Sequence, residues 1–138
     1  MQSAGFLTAA ETDSLQQAAL RAFFEGPLAK RIFASDKVLR ELKFTADCGQ
    51  DILGDYIEGM DDTAKIVLQG VADCVFFESG GAVIVDYKSD FVKNTQELAG
   101  RYTDQLRLYR LILSRSLGTP VKQCLVYSFH LGRAVDVF

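Results

Sequence analysis

Asp73, Asp86 and Lys88 are the residues of this chain whose types and spacing could do chemistry. They lie in the stretch GVADCVFFESGGAVIVDYKSD, residues 70–90, where two apolar runs are joined at Ser79-Gly80. That is the pattern of a β-hairpin, yet each run carries an Asp where a strand favours β-branched or aromatic side chains. A two-residue turn at Ser79-Gly80 sets Glu78 opposite Gly81, Phe76 opposite Val83, and Asp73 opposite Asp86. Opposed residues have Cβ atoms about 4.5–5.5 Å apart, and like charges so placed destabilise the sheet. Alternation puts Lys88 on the same face as Asp86 and turns Val85 and Tyr87 the other way. One face of the hairpin then gathers two carboxylates and an ammonium.

Two carboxylates with a nearby backbone carbonyl suit a hard cation such as Mg²⁺, whose remaining positions go to water and substrate phosphate. Such an ion relieves the repulsion, lowers the pKa of a bound water and polarises a phosphoryl oxygen, while a lysine beside it can orient or deprotonate the attacking water. The corresponding reaction is hydrolysis of a phosphodiester. A plainer alternative makes Asp86 and Lys88 a solvated strand edge and puts Asp73 at a twisted strand end. A slip of one residue in register would also separate the pair.

The elements that must hold these residues are legible from pattern. Thr8-Ala9-Ala10-Glu11 has capping-box spacing, and Leu15, Ala18, Ala19, Ala22 and Phe23 recur at helical intervals up to Gly26-Pro27. A short second helix is expected over 28–34 and a strand over Val38–Thr45, where Leu42 and Phe44 alternate with Glu41 and Lys43. An acidic, Gly-containing loop runs from Asp47 to about Asp62, followed by hairpin strands near 65–77 and 82–88. Thr95 to about Leu117 reads as a long helix with the stripe Leu98, Tyr102, Leu106, Tyr109 and Leu113, stopped by Gly118-Thr119-Pro120. Val121–Phe129 and Ala134–Phe138 read as two further strands. The order α, three strands, α, two strands implies an α/β fold with a mixed sheet flanked by helices.

Composition sets bounds. The 138 residues, 49% hydrophobic, suit a single domain. There is no apolar run of membrane-spanning length, and Met1-Gln2-Ser3 opens without the features of a signal peptide, so a cytoplasmic protein without a membrane partner is expected. Cys48, Cys74 and Cys124 are odd in number and widely spaced, which points to reduced packing residues rather than a disulfide framework, zinc site or iron–sulfur cluster. A net charge of −3 does not support gripping nucleic acid by bulk positive charge.

Taken together, Gly70-Val71-Ala72-Asp73, Val83-Ile84-Val85-Asp86-Tyr87-Lys88-Ser89-Asp90 and Gln105-x-x-x-Tyr109 resemble the PD-(D/E)XK nuclease core in its RecB-type form. Arg40-Glu41-Leu42-Lys43-Phe44 and Val126-Tyr127-Ser128-Phe129 extend the likeness over essentially the whole chain, toward the C-terminal nuclease domains of AddA-type helicase–nucleases. The resemblance implies a restriction-endonuclease-like fold in which Asp73, Asp86 and the Tyr87 carbonyl ligate Mg²⁺ or Mn²⁺ and Lys88 is catalytic. Gln105 and Tyr109 match the family's helix motif; their i, i+4 spacing sets them on one helix face, where they could reach DNA or the edge of the site. Core packing is the other reading of Tyr109. Glu41 falls on a neighbouring strand close to the site, with a plain surface charge as its other reading.

RecB-type nucleases also carry a metal-binding His on an upstream helix. The lone His130 falls after the core, does not match it and reads as a surface residue. The expectation is a single nuclease domain over 1–138, a C-terminal fragment of a longer helicase–nuclease lacking that helix, so that in isolation weak metal binding and weak or absent activity are expected. DNA would be its substrate, an AddB-like protein its partner, and ATP would be used only in the absent helicase portion. The four cysteines of the AddB iron–sulfur cluster have no counterpart here. Two other functions compete: an inactive PD-(D/E)XK module for docking DNA ends or other subunits, and a stand-alone restriction-type endonuclease. The first is disfavoured by retention of Asp73, Asp86 and Lys88 together, the second by the lack of a basic recognition surface.

Overall fold

In the computed structural model, which describes residues 9–55 and 57–137, the strand β3 (Gly81–Lys88) runs through the middle of a five-stranded sheet and is covered on both faces. Its residues Gly81 to Asp86 are all buried, which explains an apolar run without polar alternation. The full order is α1 (Ala9–Glu25), α2 (Pro27–Ala34), β1 (Val38–Cys48), α3 (Gln50–Leu53), β2 (Ile66–Glu78), β3, α4 (Thr95–Leu117), β4 (Val121–Ser128) and β5 (Arg133–Asp136). In the sheet the strands stand in chain order, β1-β2-β3-β4-β5. All neighbours are antiparallel except β3 and β4, which run parallel and are joined through α4. The expected mixed sheet with flanking helices is therefore present.

Alternation sorts the core into two layers. Val75, Ala82, Ile84, Cys124 and Val126 face α4, where Leu98, Leu106 and Leu113 meet them. Cys74, Phe76, Val83, Val85, Leu125 and Tyr127 face the other way, toward Phe23, Leu28, Ala29 and Ile32 of α1 and α2. Each fully buried Leu, Ile or Val in these layers contributes about 1.5–3 kcal/mol relative to exposure. Cys48, Cys74 and Cys124 are buried free thiols, the last two within these layers and Cys48 in a separate cluster with Ile52, Leu53 and Ile112.

Local chemistry sets the ends of α4. The Asn94 side chain accepts from Glu97 N–H, Glu97 accepts from Lys93 N–H, and Gly118 closes the helix at φ 63°, a left-handed conformation that a side chain would strain. At the other end of the sheet, Arg31 of α2 grips Glu78 at 2.7 Å, and Lys122 meets the same carboxylate at 3.1 Å. This pairing holds the Glu78 carboxyl down at about 2.

Some expectations need adjusting. β1 runs three residues beyond Thr45, because Ala46, Asp47 and Cys48 continue the ladder against Leu68, Val67 and Ile66. The acidic loop contains α3, whose Ile52 and Leu53 bury against Cys48 and Ile112. The expected apolar stripe of α1 is only partly used: Phe23 is buried and Ala19 half-buried, but Leu15, Ala18 and Ala22 are exposed, since the helix reaches the sheet through its last turn. Thr8 of the expected capping box, Met1-Gln2-Ser3 and Phe138 lie outside the described residues.

Candidate active site

The hairpin ladder pairs Glu78 with Gly81, Phe76 with Val83 and Cys74 with Val85, so Asp73 and Asp86 come next in line on the α4 face. Asp86 is 6% exposed, which is incompatible with a solvated edge. Tyr87 N–H donates to Asp73 Oδ2 at 2.9 Å and fixes that carboxylate at the end of the pair. Asp86 Oδ2 is buried and has no aligned hydrogen-bond donor; the nearest cation is Lys88 Nζ at 3.2 Å. Burial first, and then the facing Asp73, push the Asp86 carboxyl up to about 6, with Lys88 opposing. Burial also pulls Lys88 downward, but Asp86 outweighs it and the ammonium ends above its ordinary value. Lys88 is therefore charged at neutral pH: it can donate to an oxygen but has no lone pair to take a proton.

Helix α4 closes over this face with Tyr102, Gln105 and Tyr109, one side of the helix at i, i+3 and i+7. The ring of Tyr102 lies 4.5 Å from Lys88 Nζ, and its hydroxyl donates to Asp90, which Arg101 also holds at 3.1 Å. Those contacts place the Asp90 carboxyl below its usual range. At the other end Tyr109 meets Phe44 edge-on at 4.9 Å, above Gly70. A Cβ at Gly70 would stand 2.5 Å from Phe44 Cζ and 3.0 Å from the Tyr109 hydroxyl, so a side chain there would push against both rings. Half-buried Gln105 lies between these two anchors on the same side of the helix. Tyr109 thus packs, in keeping with its second reading, with its hydroxyl turned to the strand.

Glu41 arrives from β1. Arg40 pairs with Cys74 and Leu42 with Ala72, which leaves Glu41 and Asp73 opposite one another in a gap of the ladder. Glu41 has φ 50°, the one non-glycine positive φ among the described residues, at a cost of order 1 kcal/mol. The alternation of both strands shifts here: Leu39 and Leu42, like Val75 and Ala72, all pack toward α4. Tyr87, by contrast, turns its side chain away to Phe23 and Phe129, and burial raises its hydroxyl pKa, so only its backbone belongs to the site face.

Asp73, Asp86, Lys88, Glu41, Gln105 and Tyr109 are therefore brought to one region of the sheet, and Tyr102 and Asp90 join them. Sequence pattern assigns Tyr102 only to the apolar stripe; its i, i+3 spacing from Gln105 is the signal that could have found it. His130 is exposed and stands against Phe91. The donor set fits a hard divalent cation: an orphaned buried carboxylate oxygen, a second carboxylate across the strand, and backbone between. Among the described residues no group of three His, Cys, Asp or Glu side chains forms a metal cluster, so a cation here would keep water as part of its shell.

The model of the PD-(D/E)XK nuclease superfamily matches residues 2–134. The A subunit of the ATP-dependent helicase/nuclease of Geobacillus thermodenitrificans is 36% identical over 132 residues, 89% of this chain and 10% of that protein. The proteins of the same name from Clostridium botulinum strain Okra and Acetivibrio thermocellus are 30% and 35% identical over 96% of the chain. The chain spans about a tenth of the length of these relatives. Among the described residues, no helix is long and apolar enough to cross a membrane.

Proposed function

Because this chain belongs to the PD-(D/E)XK nuclease superfamily, we propose that its Asp73–Asp86–Lys88 face hydrolyses phosphodiester bonds of DNA with a bound Mg²⁺ or Mn²⁺. The observation that carries this reading is the buried Asp86 oxygen without a hydrogen-bond donor, set opposite Asp73 and beside a charged lysine. Asp73, Asp86 and the Tyr87 carbonyl would hold the cation, which when bound would polarise the phosphate and offset carboxylate repulsion. Lys88, held by Asp86 and the Tyr102 ring, donates to a phosphate oxygen or orients the attacking water. Asp90, through Tyr102, keeps that ring in place. Gln105 meets the substrate backbone, Tyr109 fixes the helix over Gly70, and Glu41 completes the rim beside Asp73.

The relatives are named as subunits of an ATP-dependent helicase/nuclease; the wider setting we propose is a nuclease portion working on DNA strands delivered by an ATP-driven helicase, beside an AddB-like partner, in double-strand-break repair. A net charge of −3 suits a substrate that is delivered rather than captured. Cleavage of labelled single-stranded DNA, measured in Mg²⁺, Mn²⁺ and EDTA beside calorimetric titration of each ion, tests the reading. Metal-dependent cleavage that Asp86→Ala abolishes is expected. Full activity in Asp86→Ala, or undiminished cleavage in EDTA, overturns it.

A further inference from the structure

Past Lys88 the chain leaves the sheet as Ser89-Asp90-Phe91-Val92 before entering α4. Asp90 and Val92 are both engaged, Asp90 by Tyr102 and Arg101 and Val92 by the core under α4. Phe91 between them is 79% exposed, the highest value among the exposed large hydrophobic residues of the described chain. It is not alone: the His130 ring lies 4.1 Å from it, centroid to centroid, tilted by 42°. His130 comes from the turn after β4, and that turn is tied down, since Phe129 N–H donates to the Lys88 carbonyl and Leu131 N–H to the Ser128 hydroxyl. The two rings therefore stand on a braced support at the carboxyl ends of β3 and β4. Phe91 is three residues from Lys88, so its Cα is at most about 11 Å from that of the lysine.

An aromatic ring left in water with one side backed by a second ring and the other open has a specific use beside a phosphodiester site. Any base presents a π-face, so stacking grips single-stranded nucleic acid without reading its sequence. The need is real in a chain of net charge −3, which has little bulk attraction for phosphates. Two of the nearby cations are already engaged, Arg101 with Asp90 and Glu97, and Lys88 with Asp86.

We propose that Phe91, backed by His130, is a base-stacking platform that holds a nucleotide of single-stranded DNA next to the scissile phosphate. This rests on the phosphodiester reading of the neighbouring face for its purpose, but binding can be measured without cleavage. The probe is a single-stranded oligonucleotide carrying 2-aminopurine, whose fluorescence is quenched when its base stacks, titrated in EDTA with the 138-residue chain. An abasic strand of the same length serves as control.

Phe91→Ala should weaken binding of the base-bearing strand by about fivefold to a hundredfold and remove the quenching. Phe91→Trp should retain both, and His130→Ala should show an intermediate loss. Binding of the abasic strand should be the same in all four proteins, and the ratio between wild type and Phe91→Ala should be similar at low and high salt, because stacking releases no counterions. Unchanged thermal unfolding would show that Phe91→Ala leaves the fold intact. Equal affinity and quenching in wild type and Phe91→Ala overturns the platform. A wild type that stacks the probe while Asp86→Ala cleaves DNA as fast as it does overturns the nuclease reading of that face and leaves the platform standing.

Discussion

Replacing Asp86 by Asn should make the metal-free protein more stable while destroying its activity. The amide keeps the shape of the carboxyl and mimics its protonated form, so it can donate to Asp73 in place of facing it as a second anion. A carboxyl held at about 6 where an isolated Asp has 3.8 costs roughly 3 kcal/mol when ionised, each tenfold in proton affinity being about 1.4 kcal/mol. The residue is buried, so solvent screening takes little from this figure. The sign follows from the raised pKa: the native state binds the proton more tightly than the unfolded chain. The stability this brings is complete below about 3.8 and is lost as pH rises through about 6. Above that range the wild type carries the whole penalty and the variant none. Urea or thermal unfolding in EDTA at pH 8 should therefore find Asp86→Asn more stable by about 2–3 kcal/mol, roughly 6–12 °C in Tm for a chain of this size. At pH 4 the two proteins should converge. Added Mg²⁺ should raise the wild type and not the variant, because only a native-state ligand shifts the equilibrium. A variant equally or less stable at pH 8, or an advantage that does not change with pH, would refute the opposed-carboxylate account.

Three other outcomes are expected. Lys88→Ala should slow cleavage by about 10²-fold or more while leaving Mg²⁺ binding by calorimetry equal to or tighter than wild type, since the ammonium competes for Asp86; loss of the fold would instead make Lys88 a structural partner. Gly70→Ala should cost about 1–3 kcal/mol in urea unfolding, as its Cβ would press on Phe44 and Tyr109; a neutral result would mean the ring moves freely and Tyr109 is not held there. Glu78→Gln should cost about 1 kcal/mol at neutral pH after allowance for solvent screening. That cost should fade as pH drops from 4.5 toward 2, because the depressed carboxyl contributes stability only where it is ionised; unfolding curves at pH 7 and pH 3 check this.

Much of the candidate site's placement was legible because its signals are local. A two-residue turn fixes the hairpin register, so Asp73 opposite Asp86 follows from counting, and the ladder from Cys74–Val85 to Glu78–Gly81 agrees. Helix α4 begins and ends where Asn94, Glu97 and Gly118 place its caps. The unread parts depend on tertiary context. The single turn of α3 is too short for a period to declare itself, and it is stable only because Ile52 and Leu53 find Cys48 and Ile112. Tyr102 satisfies an apolar stripe and a polar contact with one side chain, and pattern reports only the first. The left-handed turn of Glu41 has no signature at all, since nothing in Arg-Glu-Leu-Lys-Phe announces a φ of 50°. It falls at the gap in the β1–β2 ladder between Arg40 and Leu42.

The strand order of the sheet bears on how the chain acquires its structure. Each strand lies beside its predecessor in sequence, and no later strand inserts between two earlier ones. The carboxylates and lysine fall within a hairpin closed by a two-residue turn, which costs little loop entropy, whereas the parallel pairing of β4 must wait for α4 to span the crossover. During synthesis the nascent chain can therefore lay down β1, β2 and β3 in succession and bring Asp73 opposite Asp86 before the rest has emerged. Docking of α4 and β4 then buries a pair of carboxylates already set side by side, so electrostatic repulsion is met late in folding, and a cation available at that stage would speed the last step rather than the first.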